Sequence, residues 1–294
     1  MRATISSSGL TMDRQWGYVP AAWACPRFCD GKLSHPTLET GSERTQRRER
    51  DRHTSFLAGA TGAIGKRLIP LLLRRGAVVF GTTRSTVRTD ELRSSGIETI
   101  VVDVFDAPAL TWAMVKVEPD VVVHQLTDLA LIRDPSRLTE ALTRNARLRT
   151  DGTRNLVAAT MEADARRLIA QSIAWIYAPG PEPHAEEDPL NLGATGMAAI
   201  TVQGVVALEQ AVLTMPKIEG IVLRYGWLYG PGTGTAVAAG SPPLHVDAAA
   251  LAAVLAIEKG APGIYNIAEP SPSVSVEKVR RELGWDPSFR VPSP

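Results

Sequence analysis

The strongest chemical signal in the chain is Gly59-Ala60-Thr61-Gly62-Ala63-Ile64-Gly65, three glycines at a spacing of three. A short apolar run, Phe56-Leu57-Ala58, enters this segment, and Lys66 to Arg75 leaves it with helical periodicity and Gly76 as a stop. Between strand and helix such spacing serves phosphate binding. Gly59 permits the tight turn, Gly62 lets the backbone approach a pyrophosphate, and Gly65 lets the helix pack on the strand. Thr61, Ala63 and Ile64 complete the loop, and the free N–H groups of the helix start meet the phosphate charge. The alternative is a glycine-rich turn that serves packing alone. The next strand, Ala77–Thr82, does not end in the carboxylate that would accept from a ribose 2′-hydroxyl. Arg84 stands near that end instead and can pair with a 2′-phosphate as a bidentate fork, with Arg88 as a second donor. NADP is therefore expected, with NAD open.

The elements that must position this loop alternate from Thr54 onward. Helices are expected around 87–94 and 107–117, over a long stretch of 137–162, and at 197–214, 247–259 and 275–283. Strands are expected at 98–102, 120–124, 167–171 and 218–223. Pro70 is expected in the first turns of its helix, where a missing N–H is tolerable. Strands separated by helices of this length predict a parallel sheet covered on both faces. The expected fold class is thus α/β, a Rossmann-type doubly wound sheet over 54–294, with a small C-terminal substrate-side region mainly at 225–294.

Several motifs together carry a family resemblance. They are Gly59–Gly65, Asp103-Val104, Pro119–His124, Gly152-Thr153-Arg154-Asn155-Leu156, Leu223–Gly232, His245-Val246-Asp247 and Gly263–Ile267. From about Thr54 to Trp285 the chain resembles the extended short-chain dehydrogenase/reductase superfamily, and within it the NAD-dependent epimerase/dehydratase group. The resemblance implies that Asp103 and Val104 flank the adenine and that the turn Gln125, Leu126, Thr127 lies beside the cofactor. It also implies a relay: a Tyr hydroxyl as acid/base, a Lys four residues later that lowers its pKa, and a Ser on the substrate oxygen.

Here the match fails. Aligning Glu209 with the family's frequent glutamate puts Thr201 at the Tyr position and Val205 at the Lys position, and 190–215 holds neither a tyrosine nor a lysine. Arg149 replaces the Asn that the family places ahead of Gly-Thr. Ser172, one position early, and Tyr177 are the remaining catalytic candidates. Tyr225 and Tyr229 are candidates from the opposite wall, and Arg224 is a candidate for an anionic group on the substrate side. Each tyrosine can equally be a packing ring, and His124 reads as a core histidine. Only twelve residues separate Gly232 from His245, so a shortened substrate cover is expected.

Composition narrows the alternatives. With 32 basic and 31 acidic side chains in 294 residues, no nucleic-acid footprint is expected. The longest apolar run, Ala248 to Ile257, is too short for a membrane span, so no membrane partner is expected. Both cysteines, Cys25 and Cys29, fall in residues 1–53, without the partners of a metal site, so no metal is expected. That segment ends in a charge run and is expected to be a disordered extension, with organellar targeting left open. The expected protein is cytoplasmic and acts on a small molecule; a homodimer stays open. Three readings remain: an atypical NADP-dependent oxidoreductase or epimerase/dehydratase-like enzyme acting on a small carbonyl, sugar or lipid-like substrate; a non-catalytic dinucleotide-binding sensor; or a damaged gene product.

Overall fold

The computed structural model describes residues 53–291 apart from Ala130; the readings made on Cys25, Cys29 and the rest of residues 1–52 lie outside the described residues. Seven strands form one parallel sheet: β1 (Thr54–Ala58), β2 (Val78–Thr83), β3 (Glu98–Val101), β4 (Val121–His124), β5 (Arg167–Ile173), β6 (Glu219–Tyr225) and β9 (Gly263–Ile267). Their order is β3-β2-β1-β4-β5-β6-β9, every pair parallel. Because all run the same way, their carboxyl ends share one edge. The chain reverses its direction of travel across the sheet between β1 and β4, which opens a crevice at that edge.

Period-two alternation on the strands separates two cores. Leu57, Val79, Val121, Val123, Ile169, Ile221 and Leu223 face one layer. That layer is α1 (Ala63–Arg74), α7 (Val246–Lys259) and α8 (Glu277–Leu283). Phe56, Ala58, Val122, Leu168, Ala170 and Val222 face the other. There α3 (Ala107–Val117), α5 (Thr153–Glu162) and α6 (Gly196–Leu213) pack. Central strands buried on both faces account for the unbroken apolar run of β4. On the rim, α2 (Thr89–Ser94) follows a short 3-10 turn.

The long helical stretch is one run in three parts: α4 (Leu138–Arg147), a π turn at Leu148–Gly152, and α5. Among the described residues α6 alone is long and apolar enough to cross a membrane. It is also a packed helix, burying Val202, Gly204, Val205, Leu208, Glu209 and Val212 against neighbouring elements.

Two expectations need correction. Pro70 lies well inside α1, past the first turn, so its missing N–H leaves a gap in the helical ladder. The strand β9 closes the main sheet and α7 packs on α1, so 225–294 is mostly part of the central body rather than a substrate-side region. Only β7 (Trp227–Tyr229) and β8 (Pro243–His245), a two-stranded parallel sheet, stand aside from it with the short 230–242 loop between them.

Candidate active site

The glycine loop is locked by contacts that only glycine permits. Gly59 takes φ +98°, and a Cβ there would lie 2.6 Å from the Gln125 carbonyl oxygen, so the β1–α1 turn rests directly on the end of β4. A Cβ at Gly65 would lie 2.3 Å from the Gly59 carbonyl oxygen, which fixes the start of α1 against the loop. Gly62 differs. Its N–H donates to the Gly59 carbonyl at 3.0 Å, and a Cβ there would meet one protein atom, the same carbonyl oxygen, at a tight 3.3 Å, on a residue otherwise exposed. The N–H groups of Ala63, Ile64 and Gly65 open α1, with no acidic residue in its first turn. Those groups have no intrahelical acceptors and suit an anion.

A cleft opens above this loop. It is lined by Gly59, Thr61, Gly62, Arg84, Val104, Gln125, Leu126 and Thr127 together with Ala58, Thr82, Leu148 and Leu156. An adjoining hollow is lined by Thr61, Thr83, Arg84, Ser85, Arg88 and Asp103. Arg84 is exposed there, whereas Arg88 is tied to Glu91 at 3.1 Å and reaches the Thr61 carbonyl at 3.4 Å. Asp103 turns its carboxylate onto the Phe105 N–H at 3.0 Å. Gln125 donates to the Tyr225 hydroxyl at 3.4 Å, and its Oε1 is buried with no partner among the described residues. An orphaned acceptor in the cleft wall, a glycine face open to it and a run of free amides fit a dinucleotide. The residues predicted for the cofactor lie around this cleft, on the first turn beneath it or, for Asp103, in the adjoining hollow.

The predicted catalytic hydroxyls are elsewhere. Ser172 is fully buried and donates to Glu209 at 2.7 Å. Glu209 also takes both ends of the Arg224 guanidinium, at 2.9 and 2.7 Å. Arg224 donates in addition to the Tyr177 hydroxyl at 2.8 Å, and Tyr177 donates to Asn266 at 2.6 Å. Burial raises the Tyr177 pKa against the opposing pull of Arg224. Burial disfavours the Arg224 charge, but the Glu209 contacts outweigh it and raise its pKa overall. All four groups are thus spent on one another, and this knot joins β5, β6, β9 and α6. Ser172 falls one position early and is turned into the sheet's packing layer, and Ile173 after it is buried as well. Arg224, 2% exposed, has no fork left for a substrate anion.

The other tyrosines are also committed. Tyr225 is buried and donates to the Ala249 carbonyl at 3.3 Å, and burial raises its pKa. Tyr229 donates to Glu269 at 2.7 Å, with Arg290 donating to it at 3.2 Å. His124 bonds Thr153 at 3.0 Å and accepts from the Leu126 N–H at 3.2 Å; burial, with Arg149 adding, lowers its pKa to about 4.

Where the relay would stand, the wall is apolar. Val205 is fully buried in a cluster with Ile173, Ile176 and Val202, against which Trp175 and Leu190 pack. Thr201 is half-buried beside it. Trp175 stacks on Trp227 with ring centroids 4.2 Å apart, a pairing that no sequence pattern announces. The short loop between β7 and β8 is pinned at Gly234 by the Arg133 guanidinium, and Gly240 lies against the Trp227 ring. Among the described residues no group of three His, Cys, Asp or Glu side chains is placed to hold a metal.

Comparison with known proteins agrees with this geometry. Residues 56–243 match the NAD dependent epimerase/dehydratase family. The chain is 41% identical over 263 residues to a 3-diazoavenalumate denitrifying reductase of a Streptomyces species, covering 81% of this chain and 84% of that one. It is 29% identical over 178 residues to a dTDP-4-dehydrorhamnose reductase of Streptomyces griseus, covering 60% of this chain and 50% of that one. Gre2 of Candida albicans, solved with NADPH, superposes with a TM-score of 0.66 at 15% identity, over 81% of this chain and 95% of that one. WbmG of Bordetella bronchiseptica, solved with NAD, gives 0.63 at 18%, over 82% and 90%. Fold, cleft and sequence match together place the chain in the NAD dependent epimerase/dehydratase family, whose members work with a nicotinamide dinucleotide.

Proposed function

We propose that the chain is an NADPH-dependent reductase whose acceptor takes a hydride without needing a proton from the protein. The observation that carries this is the buried apolar cluster of Ile173, Val202 and Val205, with Val205 at the relay's Lys position, in a chain that keeps an intact dinucleotide cleft. When bound, the dinucleotide supplies the hydride. Reducing a carbonyl to an alcohol consumes one hydride and one proton, and the proton is what a Tyr/Lys pair delivers. Reducing an aryl diazonium group consumes a hydride alone: the new N–H bond forms on the terminal nitrogen, and the aryl diazene then leaves as the arene and dinitrogen. A site that keeps the hydride source and lacks a proton donor suits the second stoichiometry.

The 41% identity to a protein described as a denitrifying reductase supports this reading, as does the carboxylate-free, arginine-bearing end of β2 for the preference for NADPH. The protein's contribution is to bind and orient. The α1 N-terminus would take the pyrophosphate, Gln125 with its unpartnered Oε1 would accept from the bound dinucleotide, and Trp175 with the Ile173 cluster would exclude water from the acceptor.

The test follows NADPH absorbance with the purified chain against two panels, aryl diazonium salts and aryl aldehydes or ketones. Oxidation with the diazonium panel and none with the carbonyls is expected. Turnover of carbonyls alone would replace this reading with ordinary reduction, and tight NADPH binding with no turnover of either would favour a sensor.

A further inference from the structure

The charged side chains behind the apolar wall do not balance. Glu209 is the carboxylate there, and Arg224 and Ser172 occupy both its oxygens. Arg149 is a second guanidinium, only 8% exposed, and among the described residues it has no hydrogen-bond acceptor and no carboxylate within ion-pair distance. Asp151, two residues on, is flanked instead by Arg147 at 3.5 Å and Arg154 at 2.5 Å, both exposed. Burial lowers the Arg149 pKa to about 10, with Glu209 opposing from a distance, so the group stays charged at neutral pH. An unpaired buried cation costs several kcal/mol in a folded protein. No Arg149 nitrogen is among the polar atoms sealed from solvent without a partner, so an anion from outside can reach the group and stabilise it.

The placement of Arg149 says where that anion arrives. It sits in the π turn Leu148–Gly152, a distortion that recurs at functional sites. One turn before it, Asn145 accepts from the Asp128 N–H at 2.9 Å; one turn after it, Thr153 bonds His124 at 3.0 Å. This face of the helical run therefore looks onto the end of β4, where Gln125, Leu126 and Thr127 line the cleft. On its other side α6 presses close, with a Cβ at Gly204 only 3.1 Å from Ala146, and Val205 follows in sequence. Arg149 thus stands between the cofactor cleft and the wall that lacks the relay. The dinucleotide's own anions have hosts elsewhere, the pyrophosphate at the start of α1 and a 2′-phosphate at Arg84.

We propose that Arg149 is the anion-recognition residue of the substrate site and pairs through its planar fork with a carboxylate on the substrate. The stacked Trp175 and Trp227 and the apolar cluster suit a flat conjugated body, so the substrate class is a conjugated aryl carboxylate. This deepens the reductase reading and rests on it for the meaning of "substrate".

The experiment measures binding rather than turnover. The full chain, saturated with NADP+, is titrated calorimetrically with 4-hydroxycinnamate and with its neutral amide. The wild type is expected to prefer the carboxylate. Arg149→Met should weaken carboxylate binding at least about tenfold, as removal of one charge-assisted bidentate pair requires, and leave the amide and NADP+ within about twofold. Arg149→Lys should keep part of the preference, since the charge stays and the fork goes. The melting temperature of Arg149→Met should hold or rise, because an unpaired buried charge has been removed. Failure of the wild type to discriminate carboxylate from amide overturns the proposal. So does an Arg149→Met variant that binds the acid as before, that loses NADP+ in equal measure, or that melts well below the wild type. Discrimination that depends on Arg149 without any NADPH consumption would uphold the anion site while removing the reductase reading, so the two fail separately.

Discussion

The two halves of the carboxyl edge of the sheet are built on opposite rules. At β1 and β4 the backbone does the work: glycines bring loop and strand end into contact, free amides open α1, and the side chain of Gln125 leaves an acceptor unspent. At β5 and β6 the side chains do the work, and they spend everything on each other, with Ser172, Glu209, Arg224, Tyr177 and Asn266 linked in one buried chain of bonds. The first half keeps its polar groups available for a ligand. The second commits these five to one another and to nearby backbone carbonyls, and polar residues that look catalytic in sequence are structural in the fold. Position relative to the crevice, rather than residue type, separates the two.

Breaking the knot should have the largest effect. Glu209→Leu strands the Arg224 charge in the interior and should cost about 3–5 kcal/mol of stability by chemical denaturation, whereas Ser172→Ala should cost only about 1–2 kcal/mol. A similar loss from both would mean the pair is not the centre of the knot.

Acid should act next, through His124. Its folded pKa of about 4 lies below the ordinary 6.5, so the unfolded chain binds the proton more readily between those values. The stability it secures is complete above pH 6.5 and drains away as pH falls toward 4, about 3 kcal/mol in all. His124→Asn should flatten that part of the stability–pH curve; an unchanged slope would assign the acid sensitivity to another group.

The glycines sharpen the contrast within the cofactor half. Gly65→Val must displace loop backbone and should lower the melting temperature together with dinucleotide binding. Gly62→Val meets a single tight contact, at the Gly59 carbonyl, so binding should vanish while the melting temperature falls much less than for Gly65→Val. Smallest is Arg84→Asp, expected to shift the NADPH/NADH affinity ratio by about tenfold toward NADH, since one charge-assisted hydrogen bond to the 2′-phosphate disappears. A ratio that stays put would move the cofactor preference to Arg88.

The parts of this chain that are legible in its sequence are local. The Gly59–Gly65 loop, the helical run through 137–162 and the buried strands all carry their signal within a dozen residues. The short β7 and β8 have too few residues to show a period, and β9 lies at the sheet edge with only part of its length buried, so no run announces them. Arg224 and Tyr177 mislead for a different reason: their partners stand 15 and 89 residues away, on α6 and β9, and nothing near either residue encodes that pairing. Arg149 is visible as a substitution, but its lack of a partner among the described residues emerges only once the neighbouring carboxylates have been placed.

The most direct test of the central claim follows hydride and proton together. NADPH with either hydrogen or deuterium at both C4 positions is mixed with the full chain and a carboxylated aryl diazonium salt, and the rate of NADPH oxidation, arene, dinitrogen and pH are recorded in the same reaction. One arene and one dinitrogen are expected for each NADPH oxidised, with no proton taken up and with slower oxidation of the deuterated cofactor. Oxidation confined to carbonyl acceptors, with one proton consumed per turnover, would contradict a reductase that transfers hydride alone.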